Sequence, residues 1–236
     1  MAIIINIETS SESCSVAVSK DGMIDFQLED TEGMNHAVKL APFVEKCMAE
    51  LKRKGERPDA VAVSIGPGSY TGLRIGLSLA KGLAYSLDIP LICIPTLQIL
   101  AVKAMFRNIL WEGDEIIVPM IDARRMEVYM AAFDFSMKEV IKEKPEILST
   151  DSCSALHGKR KVIFIGDGSE KFMEIYQGDN AEWLGKLLPK ATDMIALSEK
   201  YFKSGKFSDL AYSTPNYLKE YQATVSKNKV LTNNKV

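Results

Sequence analysis

The sequence predicts an α/β protein made of two related lobes, the second a trimmed copy of the first, on three observations. Short β-branched runs alternate with stretches of helical periodicity along the chain. An apolar run at residues 3–7 that ends in Glu8 has a counterpart at the middle of the chain, at 116–121, that ends in Asp122. The order of elements after each of these runs is similar, the sign of an internal duplication.

Taken in order, residues 3–7 form a first strand closed by Glu8-Thr9-Ser10-Ser11, and 13–19 alternate into a second strand. Lys20-Asp21-Gly22 marks a turn into a third strand over 24–29. Asn35 can cap a helix whose apolar positions Leu40, Val44, Cys47, Met48 and Leu51 keep helical spacing, with a bend expected at Pro42. A strand at 60–65 leads through Gly66-Pro67-Gly68-Ser69-Tyr70-Thr71-Gly72 into a second helix ending near Leu87. A strand at 91–94 and a helix over 96–108 complete a β-β-β-α-β-α-β-α unit. That order is the ribonuclease-H-like unit of the actin-like (ASKHA) superfamily. The second half repeats it with strands at 116–122, 127–134 and 138–142, a helix around 152–156, a strand at 162–165, the loop Gly166-Asp167-Gly168, and helices around 171–176 and 192–202. The expected organisation is an N-terminal lobe over 1–110, a smaller C-terminal lobe over 111–222, and a polar, frayed tail over 223–236.

Composition excludes several classes. The chain has 236 residues, 47% of them hydrophobic, enough for one sizeable core or two small ones. A formal charge of -2 gives no footprint for gripping a polyanion unaided. Cys14, Cys47, Cys93 and Cys153 are scattered, with no CxxC pair, which argues against a zinc site or a disulfide framework and for a reducing compartment. The first residues have no basic n-region and no long apolar run, so a cytoplasmic protein with no membrane association is expected.

Three segments could carry chemistry. Glu8-Thr9-Ser10-Ser11 stands where actin-like phosphotransferases place an acid and a phosphate turn, but it contains no glycine; a plain turn capped by hydroxyls is the alternative. The loop bearing Gly66, Gly68, Ser69, Thr71 and Gly72 puts backbone amides at a helix N-terminus and could hold an anion. It is not a Walker loop, and a tight turn with Ser69 or Thr71 as helix cap is the favoured reading. The helix that follows is apolar or small on two sides. Leu73, Leu77, Ala80, Ala84 and Leu87 form one face, and Ile75, Leu79, Gly82 and Ser86 lie roughly opposite. A second burial partner is implied, either the chain's own domain or another subunit. The candidate subunit interface comprises His36, Leu40, Val44, Ile75, Gly76, Leu79, Gly82, Leu83 and Ser86.

The two histidines decide against metal chemistry. Four positions after His36 stands Leu40, which can donate nothing to a metal, and His157 has no acid or thiol at recognisable spacing. The basic runs Lys52-Arg53-Lys54, Arg124-Arg125 and Lys159-Arg160-Lys161 read as solvated faces, with a modest nucleic-acid contact within a complex open for one of them.

Several of these segments together resemble the TsaB (YeaZ) family. They are residues 5–10, His36, Gly66 through Leu77, Ala80-Lys81-Gly82-Leu83-Ala84, Asp122-Ala123-Arg124-Arg125 with Glu127-Val128-Tyr129, and Pro215-Asn216-Tyr217-Leu218-Lys219. Only Met126 departs locally, where small residues are common in the family. The resemblance implies pairing with a TsaD-like paralogue and a TsaE-like ATPase in transferring a threonylcarbamoyl group to the tRNA adenosine beside the anticodon. ATP would be used by the complex and no cofactor held by the isolated chain. TsaD-like enzymes hold a metal with a His-x-x-x-His motif and use a late glycine-rich nucleotide segment. Leu40 breaks the first, and nothing from residue 192 onward resembles the second, so the resemblance implies a non-catalytic subunit that reaches tRNA only through the complex. Self-association as a homodimer is left open. The alternative is a small-molecule phosphotransferase using Glu8 and Asp122, with Gly166-Asp167-Gly168-Ser169 as its adenosine loop.

Overall fold

A computed structural model describes residues 2–33, 35–107, 111–156, 158 and 160–219. Asn108, where the third helix was expected to end, His157, Lys159 and the expected tail lie outside the described residues, and that helix ends at Met105.

The first five strands, β1 (Ile3–Glu8), β2 (Cys14–Lys20), β3 (Met23–Asp30), β4 (Ala60–Ser64) and β5 (Leu91–Ile94), form one sheet in the order β3-β2-β1-β4-β5. The meander β1-β2-β3 is antiparallel, and β4 and β5 run parallel to β1. The second five, β6 (Ile116–Asp122), β7 (Glu127–Phe133), β8 (Glu139–Ile147), β9 (Val162–Ile165) and β10 (Ala181–Trp183), form a second sheet in the order β10-β9-β6-β7-β8, with the same mixture of directions. Reading each sheet from its own meander gives the same topology twice, which is the duplicated ribonuclease-H-like unit of the actin-like fold.

The helices show where the copy is trimmed. In the first lobe α1 (His36–Arg53) and α2 (Tyr70–Leu87) cover one face of the sheet. Their inward residues Leu40, Val44, Cys47, Leu51, Leu77, Ala80 and Ala84 bury against Ile5, Ile7, Val16 and Val63. The second lobe has a single 3-10 turn, Ser154–Leu156, in place of α1 and the five-residue α4 (Ser169–Met173) in place of α2. An aromatic cluster of Phe164, Phe172, Tyr176 and Trp183 closes that smaller core. Between the lobes lies α3 (Thr96–Met105), apolar over most of its girth, with Lys103 buried in an ion pair to Asp193 at 2.7 Å. Its Ile99 and Val102 pack with Ile4, Ala62 and Ile92 of the first sheet, and its Leu97, Leu100 and Ala104 with Ile117, Phe133 and Ile163 of the second. A helix apolar over so much of its girth has to be buried on most sides. It is joined there by α5 (Ile195–Lys203), whose Leu197 and Tyr201 belong to the same core.

The helix α1 continues through Pro42, which lies on its exposed side. Three local expectations are corrected. Asn35 stands at the N-cap of α1 but its side chain makes no cap hydrogen bond. The third strand of the second lobe runs on to Ile147, five residues further than the alternation suggested. The last predicted helix is split, a 3-10 turn at Ala191–Met194 leading into α5. Strand β10 was not anticipated; three residues are too few for a period to register.

Candidate functional site: the carboxyl ends of the parallel strands

In an open α/β sheet, ligands bind beyond the carboxyl ends of the strands. Here that position is where the Glu8-Thr9-Ser10-Ser11 turn meets the glycine loop and the start of α2. Ser69 caps α2, its hydroxyl accepting from the Gly72 amide at 3.2 Å, while the Ser69 amide donates to the Ser10 carbonyl at 2.6 Å. The Thr9 hydroxyl donates to the Gly72 carbonyl at 2.8 Å. Three glycines make this approach possible. A Cβ on Gly68 would collide with the Ser10 carbonyl, one on Gly72 with the Thr9 carbonyl, and one on Gly76 with the Thr9 hydroxyl. Gly66, at φ +109, faces the carbonyl of Asn216, whose own amide donates to the Ile65 carbonyl at 2.6 Å.

The glycines therefore admit the chain's own backbone. Thr9 and Ser10 sit against the N-terminus of α2, and the Ser69 and Gly72 amides, which an anion would need, are bonded within the chain. Thr71 is exposed on the first turn.

Glu8 is fully buried at the end of β1. One of its carboxylate oxygens accepts from the Ser10 amide at 2.6 Å and from the Ser64 hydroxyl at 2.9 Å. Burial pushes its carboxyl above the usual range, opposed by these hydrogen bonds and reinforced by Asp193. Asp122, its counterpart in the second lobe, is half exposed and ion-paired to Lys171 at 2.8 Å. The two acids thus sit in unlike surroundings. Asp167, which accepts from the Asp122 amide at 2.9 Å, is raised by burial.

The segment Gly166-Asp167-Gly168 corrects the adenosine-loop reading. Gly166 and Gly168 press on the backbone at Met120, and the Gly168 amide donates to the Met120 carbonyl. The segment follows β9 and precedes α4 as Gly66-Pro67-Gly68 follows β4 and precedes α2. It is the second lobe's copy of the same turn.

His36 is buried, and its Nε2 lies 2.9 Å from the Ser11 carbonyl. Leu40, one turn on, is in the core. Among the described residues no group of three or more His, Cys, Asp or Glu is placed to hold a metal.

The candidate interface separates into two sets. His36, Leu40, Val44 and Gly76 are buried within the chain, Leu40 and Val44 beneath α1 and Gly76 against Thr9, so they are corrected from partner contacts to core positions. Ile75, Leu79 and Leu83 are half-buried, and Gly82 and Ser86 are exposed. With Ala37, Ala41, Arg74 and Ser78, Ile75 and Leu79 line a shallow groove between α1 and α2, floored by His36 and Leu40. Sequence periodicity did not reveal the role of the C-terminal segment. Lys81 donates to the carbonyls of Ala211 and Ser213, Tyr217 packs on Tyr70 with ring centroids 5.1 Å apart, and the Asn216 side chain reaches Glu143 of the second lobe at 2.8 Å. A glycine that must take positive φ, as at Gly66, was the one available signal.

The profile of the TsaD family, described as tRNA N6-adenosine threonylcarbamoyltransferase, matches residues 31–234. The TsaB protein of Escherichia coli, named for tRNA threonylcarbamoyladenosine biosynthesis, is 30% identical, the match covering 92% of this chain and 94% of that one. The chain belongs to the TsaB family. The tRNA N6-adenosine threonylcarbamoyltransferase of Salinibacter ruber is also 30% identical, over 41% of this chain and 33% of its own length. YeaZ from Pseudomonas aeruginosa is 28% identical with a TM-score of 0.73, covering 92% of this chain and all of that one. Another P. aeruginosa structure, described as similar to peptidase YEAZ, superposes with a TM-score of 0.77 at 27% identity, covering 93% of this chain and all of that one. The TsaB fold is therefore shared over both lobes, and no described helix is long and apolar enough to cross a membrane.

Proposed function

We propose that the chain is a non-catalytic subunit of tRNA threonylcarbamoyladenosine biosynthesis. In this reading it binds a TsaD-like paralogue and, with a TsaE-like ATPase that uses ATP, supports threonylcarbamoyl transfer to tRNA adenosine 37. The chain itself holds neither nucleotide nor metal, and it works in the cytoplasm.

The observation that carries the reading is the filling of the phosphate position. Three glycines let Thr9 and Ser10 lie on the start of α2, so the helix N-terminus meets protein backbone where a phosphotransferase of this fold would meet phosphate. The His36 and Leu40 pair supports it, one residue bonded to a carbonyl and the other buried in the core. A surface for the paralogue remains along α2, where Gly82 and Ser86 are exposed and Ile75, Leu79 and Leu83 half-buried, with Val38 exposed on α1. A fold that no longer binds ligand can keep such a packing surface, and a paralogue with a matching one gives a pseudo-symmetric pair.

The reading is tested by equilibrium binding. Sedimentation velocity with a TsaD-like protein should show a 1:1 complex at micromolar concentration, and a titration of the isolated chain with ATP and Mg²⁺ should release no heat. Absence of the complex, or saturable ATP binding by the chain alone, would count against it.

A further inference from the structure

Residues Arg124 and Arg125 connect β6 to β7, and both have positive φ, +70 and +52. Turn positions that need positive φ usually hold Asn or Gly, because a side chain disfavours this backbone region. Two adjacent arginines are held in it by a dense support. The Arg124 amide donates to the Asp122 carboxylate, and the Lys171 ammonium donates to that same carboxylate at 2.8 Å and to the carbonyls of Arg125 and Glu127. The Glu127 amide closes back on the Arg124 carbonyl, and the Leu148 amide binds the Met126 carbonyl at 2.7 Å.

The charge on this tip is one-sided. Asp122 is paired with Lys171, Glu127 with Lys219 and Glu146 with Lys144, so these three acids each have a lysine partner. Arg124 and Arg125 are exposed, and among the described residues neither guanidinium has an ion-pair partner. In the other basic runs Arg53 pairs with Glu50, Lys54 with Asp25 and Lys161 with Glu182.

We propose that this turn presents Arg124 and Arg125 to the phosphate backbone of the RNA, a proposal that rests on the assignment to tRNA modification above. Guanidinium forks match phosphate oxygens in pairs, and a turn whose backbone is already held presents both at little further loss of backbone freedom. Two contacts are too few for a chain of net charge -2 to bind RNA alone, so they add to a grip supplied elsewhere in the complex.

The test uses the assembled complex with its paralogue and a fluorescently labelled tRNA, with affinity measured by anisotropy between 50 and 200 mM salt. The variant is Arg124→Asn with Arg125→Asn, since Asn tolerates positive φ and removes both charges. The slope of log affinity against log salt should fall in magnitude by about 1.4 to 1.8, for two lost phosphate contacts, while assembly measured without RNA stays unchanged. The companion variant Arg124→Lys with Arg125→Lys should keep most of the slope. An unchanged slope in the Asn variant would overturn the proposal. So would loss of assembly by a variant that still melts cooperatively, which would make the turn a protein contact. A wild-type complex that assembles but binds no tRNA removes the proposal while leaving the partner-subunit reading standing.

Discussion

Replacing Gly82 by arginine separates the stability of the chain from its association. Gly82 lies in the interior of α2 and is exposed, and a Cβ built on it meets nothing within 4 Å. Within the chain the arginine has room, and exchanging glycine for a good helix former at an exposed helical position stabilises by roughly 0.8–1 kcal/mol. For a domain of this size that is a rise in melting temperature of about 2–4 °C. Against a subunit packed over Ile75, Leu79 and Leu83 the same side chain has to be accommodated where a backbone was close. Overpacking alone costs about 1–3 kcal/mol, and loss of solvent around the charge adds to it. A total near 3 kcal/mol weakens Kd by roughly a hundredfold. Sedimentation velocity with the paralogue and thermal unfolding of the isolated chain read the two effects. A Kd unchanged within threefold, in a chain that melts at or above the wild-type temperature, would refute the placement of the partner on this face.

The packing of the first turn on α2 makes its own prediction. Gly76→Ala should destabilise by about 2–3 kcal/mol, because its methyl meets the Thr9 hydroxyl in a tight interior; combining it with Thr9→Ala should recover a kcal/mol or more, and strict additivity in urea denaturation would show that the two do not touch. Glu8 sets a pH dependence: its carboxyl is raised in the folded chain, so its contribution to stability is fully present below pH about 4.5 and is lost as pH rises through the folded value. Glu8→Gln should therefore gain on wild type as pH rises from 4 to 8, and a difference that does not vary with pH would contradict the assignment. Burial pushes the thiols of Cys47 and Cys153 up to about 12 and that of Cys14 to about 11, so in native buffer a disulfide reagent should label no more than the half-buried Cys93 quickly. Rapid release from more than one thiol would mean that these cores open.

Periodicity made both sheets and the large helices legible, since a strand such as Ile3–Glu8 or a helix such as Tyr70–Leu87 carries enough residues for its period to show. The site was legible only as far as residue type. Three glycines before and within α2 announced a close approach, but which group approaches is a tertiary matter. Nothing local to Gly72 names the Thr9 carbonyl, and nothing near Gly66 names Asn216, 150 positions away in the chain. The outward and inward sides of α1 were misassigned for the same reason. The apolar stripe of Leu40 and Val44 marks a buried face, and only the sheet's position tells that the burial is within the chain. The Arg124-Arg125 turn ran against its own chemistry, because hairpin signals look for Asn or Gly at positive φ.

The central claim, that the chain is needed for modification yet performs none of it, is tested most directly by omission. Incorporation of labelled threonylcarbamoyl into tRNA would be followed with this chain, a TsaD-like protein, a TsaE-like protein, ATP and threonylcarbamoyl-adenylate, and again with each component left out. The account predicts product only when this chain and its paralogue are both present, and none from this chain alone. Undiminished product without this chain, or modified tRNA from this chain by itself, would contradict it.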